Sequence, residues 1–201
     1  MGKNYAYRLI MAADRLPDAL ATLGQLAAPE PLGPTVMRVP GREFELPFSS
    51  DFSSGIIDVI PGRDHAAFEA VLWFGLDQAL EDFLGEEPDA LKLAQFQGGT
   101  GVGYVYVYVS PGAELEESLS ELTLVAAASS MSELFRESEP FRVCLIALLE
   151  AVGARAGLLD LEDNLHLVFW LDGKSFCEPV AVAGHYRSLR ELHEIIEHPY
   201  Q

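Results

Sequence analysis

Positive charge is scarce in this sequence. Only 13 lysine and arginine residues stand against 31 aspartate and glutamate residues, which gives a formal net charge of −18 at pH 7. The basic residues are scattered singly, and their densest group is Arg187 with Arg190. A field of this sign repels DNA, RNA and anionic membrane surfaces and attracts cations. We therefore expect no nucleic-acid and no membrane partner, and we predict that any protein partner is basic.

Long apolar runs and cysteines are scarce as well. The longest apolar run, at 141–151, contains Arg142 and Glu150 and is shorter than the roughly 20 residues that span a bilayer. The N-terminal residues lack an apolar segment followed by a small-residue cleavage site, so we expect no secretory signal. Cys144 and Cys177 are expected to be reduced, buried thiols. These features predict a cytoplasmic protein. Lysine is scarce relative to arginine and alanine is abundant, which indicates a GC-rich genome such as a bacterial one.

Recognisable catalytic patterns are missing too. His193 and His198 resemble the two histidines of a zinc-protease helix, but they are five residues apart instead of four, which turns the imidazoles away from each other. The glycine-rich stretch 98–103 precedes a predicted strand, whereas a phosphate-binding loop follows one. Neither cysteine has a nearby histidine signature, and no G-x-S-x-G elbow is present. We predict no catalytic residue, no metal site and no cofactor.

What is abundant is apolar sequence with clear periodicity. Hydrophobic residues make up 49% of the chain, enough for a sizeable core. Alternation and helical spacing together predict about eight or nine strands, several of them in hairpins, and four or five helices. This mixture predicts an α+β fold with a mainly antiparallel sheet covered by helices. We expect one domain over 1–201, with 85–101 as the boundary if it consists of two similar half-domains sharing a core.

Several helix ends can be predicted from their capping residues. Asp77 is expected to cap a short helix, and Ser138 a longer apolar one. Ser130 and Glu133 have the spacing of a capping box. Gly153 and Gly157 are expected to end the longer helix.

The strand predicted at 102–109 is the most informative segment for function. Valine and tyrosine alternate along it, so Tyr104, Tyr106 and Tyr108 share one face and the valines the other. Three phenol rings on one strand form a rigid surface of the kind that partner proteins bind. The competing interpretation is that a helix of the same domain covers the tyrosines and makes them part of the core.

Acidic residues follow this strand in the next connection. They are Glu114, Glu116, Glu117 and Glu121, which we expect to surround the aromatic residues with carboxylates. Tyr104, Tyr106, Tyr108, Glu114, Glu116 and Glu117 are thus the predicted partner-binding residues.

Three functions remain open from sequence. The first is a non-enzymatic acidic module that captures a basic protein, as an immunity protein does when it neutralises a toxin. The second is an enzyme or small-ligand binder with a carboxylate and histidine site near the 158–174 hairpin, formed by Asp160, Glu162, His166 and Asp172. The third is a structural subunit that forms a homodimer through the tyrosine face.

Overall fold

The computed structural model of the chain describes residues 3–26, 35–39, 42–46, 56–59, 66–85, 95–96, 99–113, 116, 118–184 and 186–197. Within them, two sheets and five α-helices form an α+β fold, as the sequence predicts. Some residues are described by their backbone alone within otherwise described strands; among them are Phe44, Tyr104 and Cys177.

The larger sheet has eight strands, and its neighbouring strands all run antiparallel. In chain order they are β1 (Ala6–Ala12), β5 (Ala66–Phe74), β6 (Gln95–Phe96), β7 (Gly99–Ser110), β8 (Leu119–Ala126), β9 (Ala156–Asp160), β10 (Leu165–Leu171) and β11 (Lys174–Ala183). Their order across the sheet is β11-β10-β9-β1-β8-β7-β5, and β6 pairs with the start of β7. The first strand of the chain therefore lies in the middle of the sheet, between two strands from the second half of the sequence.

The smaller sheet has the order β3-β2-β4. Its strands are β2 (Thr35–Val39), β3 (Arg42–Leu46) and β4 (Ile56–Asp58). β2 and β3 pair antiparallel, whereas β2 and β4 pair parallel. The prediction of a mainly antiparallel architecture is thus confirmed, with one parallel pair in the smaller sheet.

Five α-helices accompany the sheets among the described residues. They are α1 (Leu16–Gln25), α2 (Gln78–Leu84), α3 (Ser129–Glu137), α4 (Glu139–Val152) and α5 (Leu189–Glu197), and a 3-10 turn (Ala13–Arg15) precedes α1. The predicted caps at Asp77 and Ser138 are confirmed, because each side chain accepts a hydrogen bond from a backbone N–H of the first turn.

The main core lies between one face of the larger sheet, hereafter the core face, and helices α1–α4. The valines of β7 point into it and are fully buried, as the alternation predicts. At its centre the Tyr7 ring stacks on Phe141 and meets Phe169 edge-on, and its hydroxyl donates a 2.6 Å hydrogen bond to the carbonyl of Phe135. Burial raises the pKa of Tyr7, so the hydroxyl remains a donor over the whole physiological range.

The opposite face of the sheet is only partly covered. Helix α5 packs Leu189 and Leu192 onto Ile10, Leu158 and Val168, which belong to β1, β9 and β10. This second, smaller cluster occupies the end of the sheet that includes β11. The helices of the main core lie on the other face.

Two local predictions were wrong. Helix α3 begins at Ser129, so Ser130 lies inside its first turn, and the residue before the helix is Ala128, whose methyl group cannot accept a hydrogen bond. The Glu133 carboxylate pairs with Lys3 and Arg136. Gly153 does end α4 in the left-handed conformation, but Gly157 lies inside β9. A Cβ on Gly157 would lie 2.5 Å from Leu149 Cδ1, so the close approach of α4 to the sheet requires glycine there.

The predicted half-domain boundary at 85–101 lies in part outside the described residues, at 86–94 and 97–98. Around it, the larger sheet takes strands from both sides of this stretch: β1 and β5 come before it, and β8–β11 come after it. One sheet therefore contains strands from both sides of the predicted boundary, and the division of the chain into two half-domains stays a prediction.

Candidate functional site: the open face of the larger sheet

Tyr106 and Tyr108 of β7 point away from the main core. Tyr106 is 39% exposed and Tyr108 is half-buried, while Val105, Val107 and Val109 between and beside them are buried. The backbone of Tyr104 is paired with Val71, and its side chain lies outside the description. The alternation of the sequence therefore becomes an apolar face and an aromatic face of the same strand.

No described helix covers this aromatic surface. Helices α1–α4 pack on the core face, and α5 packs at the other end of the sheet. We call the uncovered region the open face. Its members are all exposed or half-buried: Ala6, Arg8, Ala67, Glu69, Val71, Tyr106, Tyr108, Thr123, Val125 and Asp160. Among the described residues, then, the aromatic face of β7 is surface and not core.

Strand register arranges the open face in rows that run across the sheet. One row contains Glu69, Tyr106, Val125, Ala6 and Asp160, each opposite the next on the neighbouring strand. Neighbouring strands lie about 4.8 Å apart, so Tyr106 and Asp160, three strands from each other, are separated by about 14 Å. Val125 and Ala6, which lie between Tyr106 and Asp160 in this row, have shorter side chains than tyrosine and form a shallow part of the surface.

The next row across the sheet contains Ala67, Tyr108, Thr123, Arg8 and Leu158. Leu158 is buried under α5, so this row passes from the open face to the covered end of the sheet. Arg8 marks the boundary between the two regions.

Arg8 forms the central ion pair of this surface. Its Nε and Nη2 lie 2.7 and 3.0 Å from the two carboxylate oxygens of Glu121, and the side chains are only 12% and 9% exposed. The hydroxyl of Thr123 donates a further hydrogen bond of 3.1 Å to Glu121. A two-pronged, charge-assisted contact of this kind fixes both side chains and neutralises both charges.

Glu121 is a correction to the sequence analysis. We expected it among the solvated acids of the β7–β8 connection, but β8 already begins at Leu119 and Glu121 lies buried within that strand. The ion pair with Arg8 provides the hydrogen bonds that a buried carboxylate needs. A lone arginine in the apolar segment 5–12 was the sequence signal for such a pair, since an arginine in a central strand requires a partner.

A depression of about 460 Å³ opens beside this ion pair. Its walls come from β1, β8, β9 and the β7–β8 connection, and it is lined by Ala6, Arg8, Ser110, Gly112, Glu121, Thr123 and Asp160. We call it the Asp160 pocket, because the Asp160 side chain, 34% exposed, supplies the one carboxylate in this lining that Arg8 does not bind directly.

Asp160 is held in its charged form. Its Oδ1 accepts a 2.8 Å hydrogen bond from the backbone N–H of Glu162, and Nε2 of His166 lies 3.6 Å from its Oδ2. Partial burial alone would raise the pKa of Asp160, but the contacts with His166 and the Glu162 N–H, together with the charge of Arg8, outweigh it and lower the pKa below the ordinary value. The pocket thus contains a carboxylate that is ionised at neutral pH.

The predicted acidic flank lies beyond the end of β7. Glu116 is exposed in the hairpin that joins β7 to β8, where it accepts a 2.8 Å hydrogen bond from the Ser118 hydroxyl. Glu114 and Glu117 are outside the described residues. Tyr106 precedes the last residue of β7 by four positions, so Glu116 is more than about 13 Å along the strand from it.

The four residues of the alternative carboxylate and histidine site do not converge. Asp160 and His166 are neighbours on β9 and β10, and Glu162 is exposed in the turn between these strands. Asp172 follows β10 at its opposite end, about 20 Å from His166. One hairpin therefore carries two separate polar groups.

Asp172 has a role of its own in the fold. It contacts Nε of Arg155, and its Oδ2 lies 2.5 Å from Nε2 of His193 on α5. Partial burial would raise the pKa of Asp172, but its contacts with Arg155 and His193 outweigh this effect and lower the pKa. The group fastens α5 to the sheet, and the Asp172-Gly173 turn has the positive φ angles typical of a tight hairpin.

A second cavity, of about 520 Å³, lies on a different part of the molecule. It is bounded by the 3-10 turn, the start of α1, the smaller sheet and the β7–β8 connection, and its lining is Ala13, Asp14, Leu16, Pro17, Val39, Arg42, Val59, Pro111 and Ser120. Arg42 at its edge pairs with Asp18 at 3.3 Å. This cavity is mostly apolar and shares no lining residue with the Asp160 pocket.

Within the described ranges, no group of three histidine, cysteine, aspartate or glutamate side chains has an arrangement that could hold a metal ion. No helix in the same part of the chain is both long and apolar enough to cross a membrane.

Comparison with other proteins assigns no function. The chain matches no protein-family model, no curated protein and no solved structure. The open face is therefore the feature of the molecule that indicates a function.

Proposed function

We propose that this protein is a non-enzymatic binding module that captures a basic protein through the open face of its larger sheet. The observation that carries the proposal is the position of Tyr106: a large aromatic side chain, 39% exposed, on a strand whose other face is locked into the core. Tyrosine on a rigid strand supplies contact area with little loss of conformational freedom on binding.

The charge of the molecule supports a cationic partner. The chain has a formal net charge of −18, and Glu69 and Asp160 place carboxylates at both ends of the row that contains Tyr106. The only arginine of the open face, Arg8, is neutralised by Glu121. A basic surface would be steered toward this face and would meet aromatic contacts on arrival.

An immunity or inhibitor protein is a concrete example of this class. Such a protein covers the working surface of a basic enzyme, and a toxin that acts on nucleic acid needs a cationic surface to bind its substrate. The bacterial cytoplasm, predicted from the sequence, is the compartment in which this neutralisation would take place.

The test begins with capture of partners from the source cells at about 50 and 300 mM salt, followed by calorimetric titration of the purified partner. Tyr106→Thr removes the ring but keeps a β-branched residue suited to a strand. We expect this substitution to weaken binding by about 2 kcal/mol, or about thirtyfold, which is typical of a central aromatic residue in an interface.

Val143→Thr is the matched control. Val143 is 52% exposed on α4, which packs against the other face of the sheet, so this variant also replaces an exposed apolar residue with threonine. Its affinity should equal that of the unmodified protein. Equal affinity for all three proteins, or a partner that binds more tightly at the higher salt concentration, would contradict the proposal.

A further inference from the structure

We propose that the Asp160 pocket binds an arginine side chain of the basic partner. This inference rests on the proposed function and names the chemical group that the open face would select. Its basis is the position of one charged carboxylate in a depression next to the aromatic residues of β7.

The balance of charges in the pocket favours a cation. Of its three charged lining residues, Arg8 and Glu121 neutralise each other through a contact with two hydrogen bonds. Asp160 provides the remaining negative charge of the lining, and Nε2 of His166 lies 3.6 Å from its Oδ2. A carboxylate offers about four acceptor positions; the Glu162 N–H takes one of them, on Oδ1, and His166 lies beside Oδ2. Acceptor capacity on the partly exposed Asp160 side chain remains for a donor from outside.

The surroundings favour guanidinium over ammonium. A guanidinium group is planar, is more weakly hydrated than an ammonium and stacks on aromatic rings. Tyr108 lies directly across from Thr123, which lines the pocket, so an arginine that enters from this side passes a phenol ring. A depression of about 460 Å³ falls within the range of ordinary ligand pockets and admits this head group.

The spacing of the open face also suits a single partner segment. Tyr106 and Asp160 are about 14 Å apart, across three strand spacings. In an extended chain, residues i and i+4 point to the same side and are separated by about 14 Å. One extended segment can therefore contact Tyr106 with one residue and place an arginine at Asp160 with another.

The experiment uses N-acetyl-arginine N-methylamide as the probe and backbone amide NMR of the full chain as the readout. We expect saturable shifts at the amides of Ala6, Thr123 and Asp160. The lysine analogue should bind at least several-fold more weakly, and the uncharged citrulline analogue should cause no shift at these residues.

Two substitutions test the site. Asp160→Asn keeps an acceptor for the Glu162 N–H but removes the charge, and it should weaken probe binding about tenfold. Ala6→Val narrows the pocket without a change of charge and should also weaken it. Asp163→Asn is the control, because it removes the same charge from the exposed neighbouring turn, where asparagine suits the positive φ of 51°. Shifts spread evenly over acidic surfaces, or equal losses in Asp160→Asn and Asp163→Asn, would overturn the proposal.

The captured partner separates this inference from the proposed function. If Tyr106→Thr weakens partner binding and Asp160→Asn does not, the arginine pocket is wrong and the binding function stands. If Asp160→Asn weakens it and Tyr106→Thr does not, the pocket stands and the tyrosine-centred interface is wrong. If neither variant changes the affinity, both proposals fail.

Discussion

Removal of one partner from the Arg8–Glu121 pair should destabilise the protein far more than removal of both. The two side chains are 12% and 9% exposed and share two hydrogen bonds. Breaking a fully buried ion pair costs about 3–5 kcal/mol because one charge remains without its counterpart. Since some solvent reaches this pair, we expect Arg8→Met or Glu121→Met to cost about 2–4 kcal/mol each.

The double variant should recover most of this loss. Two methionines fill a similar volume and leave no buried charge. The free energy of unfolding of the Arg8→Met, Glu121→Met double variant should therefore lie within about 1 kcal/mol of that of the unmodified protein. The coupling free energy of the two substitutions, the sum of the two single losses minus the loss in the double variant, is then at least about 3 kcal/mol.

Urea unfolding of the four proteins measures this coupling directly, with the slope against urea concentration as the check that unfolding keeps the same cooperativity. In a thermal scan, each single variant should unfold about 5–15 °C below the unmodified protein, given the usual 2–4 °C per kcal/mol at this chain length. A coupling below about 0.5 kcal/mol would refute the claim that these two residues neutralise each other within the fold.

Three more outcomes follow from the packing and the caps. Gly157→Ala should cost about 1–3 kcal/mol in urea unfolding, because its Cβ would overlap Leu149 on α4. Ser138→Ala removes the acceptor for the Phe141 N–H at the start of α4 and should cost about 1 kcal/mol in the same assay. The pKa of Asp172 is lower in the folded protein than its unfolded value, near 3.8, so its contribution to the free energy of unfolding is present above that value. The contribution is lost as pH falls through the folded pKa. Asp172→Asn should therefore make the free energy of unfolding less dependent on pH below about pH 5.

Local chemistry explains which parts of the fold could be predicted. The alternation of valine and tyrosine sets the two faces of β7, and the side chains of Asp77 and Ser138 cap helices because they satisfy N–H groups within three residues of themselves. Each of these features depends on residues close together in sequence. The α+β class follows from the same local patterns.

Long-range contacts explain what could not be predicted. The central position of β1 depends on pairing with β8 and β9, more than 100 residues away in sequence. The burial of Glu121 depends on Arg8, which β1 brings opposite it only through that pairing. The residues just before Leu122 are acidic and resemble a solvated loop. Their inclusion in β8 becomes recognisable only when the pairing of β8 with β1 is known.

The candidate site shows the same division. That Tyr106 and Tyr108 share a face follows from the period of a strand, but whether a helix covers this face depends on where α5 docks. The Asp160 pocket is lined by residues of β1, β8, β9 and the β7–β8 hairpin. The spacing of residues in the sequence does not show that these elements come together. One edge of the site can therefore be predicted from the sequence, whereas the depression next to it cannot.

Salt dependence distinguishes the basic-partner proposal from the homodimer considered at the start. Two copies that met through the open face would bring Glu69 and Asp160 of each copy toward like charges, within molecules that each have a net charge of −18. Salt screens this repulsion, so self-association through the face should strengthen from about 50 to 300 mM salt, whereas capture of a cationic protein should weaken. Sedimentation of the protein alone and with its captured partner measures both signs. A dimer that Tyr106→Thr disrupts and that tightens with salt would show that this surface binds its own copy, and the case for a basic partner would fail.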